Sequence, residues 1–142
     1  MTTIIDNNPI KRGGVMEITN MYEALRNTVV DPKVGIKVVK LAGDAEISLF
    51  AAEIPPEKAV RPHYHNKGIE IYKMIEGEGQ MSIGDVEGAS VRWVKSARLK
   101  KGDAVTVPAG KVHTLKNDTG HAVFVLFICM PEHLAEDRFF TE

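Results

Sequence analysis

The sequence contains a single cysteine, Cys129, which excludes an intramolecular disulfide and a zinc site built from several cysteines. The longest apolar run spans residues 122–130, far short of the ~20 residues that a membrane helix needs. No charge excess is present: 18 lysines and arginines face 19 aspartates and glutamates, whereas nucleic-acid-binding proteins usually carry a basic surplus. No signal peptide is visible. These absences predict a cytoplasmic protein without a membrane or nucleic-acid partner.

What the sequence does contain is a series of short runs, many rich in valine, isoleucine and aromatic residues, separated by turn signals. The 142 residues are 44% apolar and 26% charged, which is ordinary for one globular domain. Strands are predicted over residues 34–41, 46–54, 69–75, 80–83, 91–94, 104–107, 112–115 and 123–129. Many short strands at this spacing indicate an all-β sandwich or barrel. We therefore expect an N-terminal extension over residues 1–33 and a β-domain with a short tail over residues 34–142.

Two segments outside the strands carry weaker signals. Residues 16–30 are compatible with a short helix, since Asn20 can cap it and Glu23 follows three positions later. The segment around residues 86–97, which contains Trp93, is expected to form an extended loop. Residues 122–130 are apolar on both faces, which predicts that the outer face of a sheet is covered. The cover could be the N-terminal segment or a second subunit, and a homodimer is favoured.

Four side chains form a candidate metal site. His63 and His65 are two residues apart, so on a strand both imidazoles project from the same face. Glu70 follows a turn, and hairpin pairing of the two strands would place it across from His65. His113 lies on a later strand. Three imidazoles and a carboxylate would suit one divalent ion of iron, manganese, nickel, copper, cobalt or zinc. Chance placement of unrelated histidines remains the alternative at this point.

The neighbouring residues make the pattern specific. Residues 63–77 fit H-x-H-x4-E-x6-G, and residues 102–117 fit G-x5-P-x-G-x2-H-x3-N. These two signatures resemble those of the cupins, particularly the small single-domain members. One departure exists, because Glu57 stands where the family often has a glycine six residues before the first histidine. The resemblance implies a double-stranded β-helix, or jelly-roll barrel, with a short N-terminal extension. It also implies that His63, His65, Glu70 and His113 bind one metal with positions open to water or substrate.

Residues beside the predicted ligands are candidates for contacts with a substrate. Arg61 shares strand parity with His63 and could bind a carboxylate or phosphate, or could simply be solvated. Tyr72 and Met74 share parity with Glu70 and are expected to line the cavity. Tyr72 could donate a hydrogen bond or a proton. Arg61 and Tyr72 are therefore the candidate catalytic residues.

The remaining notable side chains are expected to be structural. His121 and His133 have no partner in either signature and are predicted to lie at the surface. Cys129 is expected to be an inert buried thiol, and Asn117 to support the strand of His113. Phe50, Trp93 and Phe124 could wall a pocket, although core packing explains them equally well.

The resemblance leaves several functions open, since one fold can host many activities. The first prediction is a metal-dependent enzyme of the isomerase, epimerase or lyase type. Its substrate would be a small polar metabolite, such as a sugar, a sugar phosphate or an organic acid. The alternatives are an oxygen-dependent dioxygenase and a non-catalytic module that binds a metabolite.

Overall fold

The computed structural model describes residues 11–12 and 16–141. Most of the predicted N-terminal extension before residue 16 therefore lies outside the described residues. The described chain is mainly β-structure, and all strand pairs are antiparallel. The strands are β1 (Lys11–Arg12), β2 (Ile18–Thr19), β3 (Val30–Asp31), β4 (Ile36–Gly43), β5 (Ser48–Ile54), β6 (His63–Tyr64), β7 (Glu70–Glu76), β8 (Gly79–Glu87), β9 (Ser90–Leu99), β10 (Ala104–Val107), β11 (Val112–Lys116), β12 (Val123–Cys129) and β13 (Phe139–Phe140). A helix α1 (Met21–Arg26) follows β2, and a short 3-10 helix (Pro131–Leu134) follows β12. The predicted all-β class is confirmed.

Two large sheets form the body of the domain. One has six strands in the order β10-β7-β12-β5-β4-β3, and the other has five in the order β13-β6-β11-β8-β9. Along the central strand β12, buried residues alternate with half-buried ones, as expected when one face packs on a core. Its buried side chains, Val123, Val125, Phe127 and Cys129, join residues of both sheets in a single core. The core therefore lies between the two sheets.

Helix α1 covers part of the outer face of the six-stranded sheet. Asn20 caps the helix through its side-chain oxygen, which accepts hydrogen bonds from the amides of Tyr22 and Glu23 at 3.0 and 3.1 Å. Leu25 is buried, and the Tyr22 ring lies 5.2 Å from that of Phe124 on β12. The N-terminal segment thus supplies some of the expected cover, and the homodimer stays a prediction. The helices in the described ranges are all too short to cross a membrane.

The prediction of an extended loop around residues 86–97 is wrong. Strands β8 and β9 form a long hairpin instead, with Glu87 opposite Ser90. The two residues between them form a tight turn that begins at Gly88, whose φ of 63° is favourable for glycine. Trp93 pairs with Gly84 in this hairpin, is 46% exposed, and lies outside both the core and the lining of the cavity beside His63, His65 and Glu70. The polar composition of residues 90–99 reflects an exposed edge strand rather than a loop.

The hairpin expected between the strands of His63 and Glu70 is also wrong. Strand β6 pairs with β11 and β13, whereas β7 belongs to the other sheet and pairs with β10 and β12. Strand β6 has only two residues, and the chain crosses between the sheets through the turn at Gly68, where φ is 74°. The histidines and the glutamate therefore approach each other across the interior, from different sheets.

Glu57 accounts for the departure from the first signature. Its φ is 65°, the only positive value among the non-glycine residues in the described part of the chain. This left-handed conformation costs an ordinary residue about 1 kcal/mol and costs glycine far less. The position thus favours glycine for its backbone and supplies no ligand.

Candidate metal centre

Strand register brings His63 and His113 together. His63 on β6 lies directly opposite His113 on β11, and their ring centroids are 4.4 Å apart. His65 follows β6 with its ring 4.9 Å from that of His63, and Glu70 begins β7 in the facing sheet. All four side chains are buried. One potential ligand atom from each lies within 4.8 Å of the others, so the four residues could hold a metal ion.

Hydrogen bonds orient the three imidazoles. The Nδ1 atoms of His63 and His113 lie 2.7 and 3.1 Å from the carbonyl oxygens of Arg61 and Lys111. The Nδ1 atom of His65 lies 2.6 Å from the carbonyl oxygen of Asp137. Because a carbonyl only accepts, each Nδ1 carries the proton and donates it. In a neutral ring, Nε2 then has a free lone pair, which is the arrangement that protein scaffolds give to metal-binding histidines.

The free lone pairs point at a carboxylate. His65 Nε2 lies 3.0 Å from Glu70 Oε2, and His113 Nε2 lies 3.4 Å from Glu70 Oε1. Within the described ranges, these two Nε2 atoms are the only buried side-chain nitrogen or oxygen atoms without a hydrogen-bond partner. An imidazole lone pair beside a carboxylate oxygen is unfavourable unless a proton or cation lies between them. Three nitrogens and one oxygen also form a ligand set that divalent transition metals accept, so the residues fit a metal.

The electrostatics of the site favour the same charge states that metal binding needs. Burial, with the nearby His113, lowers the pKa of His63 to about 3, so this ring is neutral at physiological pH. Burial alone would raise the pKa of Glu70, but its contact with His133 opposes that effect, and the pKa is held below the ordinary value. A neutral imidazole and an ionised carboxylate are the forms that coordinate a metal.

His133, predicted to lie at the surface, is fully buried, so that prediction is wrong. Its Nδ1 lies 2.8 Å from Glu70 Oε2, and its Nε2 is hydrogen-bonded to the carbonyl of Lys67. Its ring stacks on that of His65, with centroids 4.1 Å apart and planes within 2°. The surface prediction rests on the fact that His133 has no partner in either signature. The apolar Phe139 and Phe140 were the available signal, since they form β13 and bring the tail back to β6.

Asp137 is a second residue that sequence reasoning missed. Its carboxylate accepts hydrogen bonds from the amides of Asn66 and Lys67 at 2.7 and 2.9 Å. Its carbonyl accepts the bond from His65 described above. Asp137 thus ties the C-terminal segment to the turn between His65 and Glu70.

A small cavity of about 30 Å³ adjoins His63, His65 and Glu70. Tyr72 lines it, as predicted, whereas Met74 is buried in the core and lies outside its lining. Burial, reinforced by Glu70 and Cys129, raises the pKa of Tyr72 well above its ordinary value, so its hydroxyl stays protonated. Arg138 from the C-terminal segment also lines the cavity and lies 3.3 Å from Asp31.

The other predicted residues have varied positions. Arg61 is exposed, and its guanidinium carbon lies 4.5 Å from the ring centre of Phe140, outside the cavity lining. His121 is exposed and Cys129 is buried, as expected. Asn117 is fully buried and donates hydrogen bonds to the carbonyls of Ile54 and His121 at 3.0 and 2.6 Å, which confirms its structural role. Phe50 stacks on Phe127 in the core.

Comparisons with known proteins agree with this geometry. The family model described as Cupin domain (Cupin_2) matches residues 50–129. Germin-like protein subfamily 2 member 4 of Arabidopsis thaliana is 30% identical over 96 residues, which are 66% of this chain and 42% of that protein. The chain therefore spans less than half the length of this relative.

Solved structures support the fold. TT1209 from Thermus thermophilus superposes with a TM-score of 0.63 at 21% identity, covering 82% of this chain and 98% of its own. An uncharacterised conserved protein with a double-stranded β-helix domain from Klebsiella pneumoniae gives a TM-score of 0.64 at 18% identity, covering 88% and 96%. The predicted double-stranded β-helix is confirmed. Since the family model matches more than half of the sequence, the chain belongs to the cupin family.

Proposed function

We propose that the chain binds one divalent transition metal through His63, His65, Glu70 and His113 and is an enzyme that acts on a small organic acid. The observation that supports it best is the pair of buried Nε2 atoms, on His65 and His113, that face Glu70 without a hydrogen-bond partner. When bound there, such a metal supplies a Lewis acid for a carbonyl or carboxylate, or a centre for oxygen chemistry.

The cavity walls favour an organic acid over a sugar. Its apolar lining consists of Val34, Ile36, Val38, Ala52, Val60, Val125, Phe127 and Leu134. Each sugar hydroxyl would need a polar partner, and burying one without a partner costs roughly 1–3 kcal/mol. The volume of about 30 Å³ corresponds to roughly two water molecules, which favours a ligand of few atoms. Among the predicted substrates, a short organic acid with an apolar part fits best.

The polar groups that line the cavity would bind the substrate and would not transfer protons to or from it. The protonated hydroxyl of Tyr72 can donate a hydrogen bond to a substrate oxygen. Arg138 offers a guanidinium that can pair with a carboxylate, and Asp31 orients it. Arg61 is the earlier candidate for this role. Both guanidinium groups lie over the Phe140 ring, at 4.5 Å for Arg61 and 5.3 Å for Arg138, but of the two only Arg138 lines the cavity and is therefore the better candidate.

The cavity offers no free side-chain base among the described residues. Its titratable lining residues are His63, His65, Glu70, Tyr72, His133 and Arg138. The first three are the proposed ligands, Tyr72 is protonated, and both nitrogens of His133 are hydrogen-bonded. Isomerases and epimerases commonly need a base to remove a substrate proton. A lyase-type reaction such as decarboxylation is therefore favoured over isomerisation and epimerisation.

Oxygen-dependent oxidation of the same acid is the second candidate. The lack of a free base among the described cavity residues favours it equally, because that chemistry also proceeds without a side-chain base. Oxygen uptake with iron, compared with zinc, distinguishes this candidate from a lyase.

The test begins with the metal. Purified protein is analysed for metal content and titrated with Zn²⁺, Mn²⁺ and Fe²⁺, alongside His113→Ala and the exposed-histidine control His121→Ala. We expect the wild type and the control to bind one ion per chain and His113→Ala to lose it. A panel of short organic acids is then followed by NMR with each metal. A folded wild type that binds no metal would contradict the proposal, and an acid that binds but is recovered unchanged would indicate a binding module.

A further inference from the structure

The C-terminal segment, residues 130–141, lies beyond the residues matched by the family model and yet reaches the metal centre. We propose that His133 in this segment is a positioning residue that holds the Glu70 carboxylate in place for the metal. The inference rests on the proposed metal binding, and it adds a residue that neither signature contains.

Hydrogen-bond chemistry fixes how His133 acts. Its Nε2 meets the carbonyl of Lys67, and because a carbonyl only accepts, Nε2 is a donor. Its Nδ1 lies 2.8 Å from Glu70 Oε2, which is a bonding distance for an imidazole nitrogen and a carboxylate. The His133 ring thus links the Glu70 carboxylate to the turn at Lys67. This link restricts the rotation of the Glu70 side chain.

Stacking extends the restraint to a second proposed ligand. The His133 ring is parallel to that of His65, with centroids 4.1 Å apart. His65 in turn donates from Nδ1 to the carbonyl of Asp137 in the same segment. The C-terminal segment therefore contacts His65 and Glu70 together.

The position of His133 does not depend on the Glu70 bond alone. The carboxylate of Asp137 binds two amides of the turn, and Phe139 and Phe140 pair with Tyr64 and His63 in the sheet. These contacts keep the segment in place when the His133 side chain is changed. Substitutions at His133 can therefore test the hydrogen bond itself.

Outer hydrogen bonds of this kind typically change metal affinity by about 10–100-fold. The experiment compares three variants of the full chain. His133→Asn places an amide group near the position of Nδ1, His133→Gln places one near Nε2, and His133→Leu removes both hydrogen-bonding nitrogens. Affinity for Zn²⁺ is measured by chelator competition, and Co²⁺ spectra in the visible range report the geometry of the ligands. His121→Leu is the control, because His121 is an exposed histidine.

We expect His133→Leu and His133→Gln to bind about 10–100-fold more weakly, with altered Co²⁺ spectra, and His133→Asn to stay within about 3-fold of wild type. Wild-type affinity and spectrum in a folded His133→Leu or His133→Gln would overturn the inference. An equal loss in the Asn and Gln variants would also overturn it, because packing rather than the bond to Glu70 would then be responsible. If His133→Leu does not fold, the Asn and Gln pair decides. If the wild type binds no metal, the proposed function itself is contradicted. If the wild type binds metal and the His133 variants bind it equally well, only this inference is contradicted.

Discussion

The proposed metal site has two halves that the protein holds in different ways. In the first half, His63 and His113 each donate from Nδ1 to the carbonyl two residues earlier, on Arg61 and Lys111. The two histidines also face each other in strand register. Local backbone geometry is therefore enough to orient this half.

The second half, His65 and Glu70, is held from a distance. The partner of His65 is Asp137, 72 positions away, and the partner of Glu70 is His133, 63 positions away. Both partners lie in the C-terminal segment, which must fold back before this half is complete. The difference teaches that metal binding and closure of this segment should depend on each other. The first half should depend on closure less than the second, because His63 meets the segment through strand pairing with Phe140 whereas its ring is oriented by the carbonyl of Arg61.

Removing a proposed ligand from either half has the largest expected effect. We expect His63→Ala and His65→Ala each to weaken Zn²⁺ binding by more than about 100-fold, beyond the range of an outer hydrogen bond. Chelator competition on the folded variants measures it. If one variant bound zinc as the wild type does, the half to which it belongs would not be part of the site.

The next effect follows from reciprocity. If closure of the C-terminal segment strengthens metal binding about 10–100-fold, the metal must favour closure by the same factor. Cys129 reports it, because this buried thiol ends β12 just before the segment, and burial, with Glu70 nearby, raises its pKa. Modification by a thiol reagent should slow by that factor when Zn²⁺ is added.

Two controls separate opening of the segment from unfolding. The modification rate is compared with the rate of global unfolding, since a metal also protects by stabilising the whole fold. His113→Ala should show no protection. A wild-type rate that stays the same with and without Zn²⁺ would break the link between the second half and the segment.

Asp137 provides a smaller effect on stability. Asp137→Ala removes the acceptor of the Asn66 and Lys67 amides, and we expect the free energy of unfolding to fall by about 2 kcal/mol. Asp103→Ala is the matched control, because its exposed carboxylate accepts one amide bond, from Lys100. Denaturant titration of the metal-free proteins measures both. Equal losses in the two variants would mean that Asp137 caps an ordinary turn rather than holding the segment.

The same comparison explains what could be predicted from the sequence. The four proposed ligands could be found because they occupy two signatures in which glycines and a proline stand at fixed spacing from them. The short runs separated by turn signals also indicated the all-β class. These features depend on residues that are close together along the chain.

The parts that could not be predicted depend on long-range contacts. Strand β6 has two residues, and its neighbours β11 and β13 are distant in sequence, so nothing local showed that it avoids β7. His133 is buried because its segment folds back over the site, and no period in residues 131–138 indicates that. A single histidine in a polar stretch is usually a surface residue, and here tertiary packing decides otherwise.

The smallest effect is expected at an exposed charge cluster on the five-stranded sheet, which consists of Glu78, Arg98 and Asp118. This cluster lies outside both halves of the site and serves as their control. Arg98 lies 2.9 Å from Glu78 and 3.0 Å from Asp118, and all three side chains are at least one-third exposed. We expect Arg98→Gln to lower the melting temperature slightly, with less effect at high salt, because water and ions screen exposed pairs. Calorimetry at two salt concentrations measures it.

Its pH dependence has a definite sign. The hydrogen bonds from Arg98 lower the pKa of the Asp118 carboxyl below its ordinary value of 3.8. A lowered carboxyl pKa stabilises the fold above the unfolded value and loses that contribution as the pH falls through the folded value. The difference between wild type and Arg98→Gln should therefore be present at pH 6. It should decline as the pH falls below about 3.8 and vanish below the lowered pKa of folded Asp118. Zinc affinity should not change, since the cluster touches neither half of the site. A loss of zinc affinity in Arg98→Gln would show that coupling to the metal centre extends beyond the C-terminal segment, and the distinction between the two halves would fail.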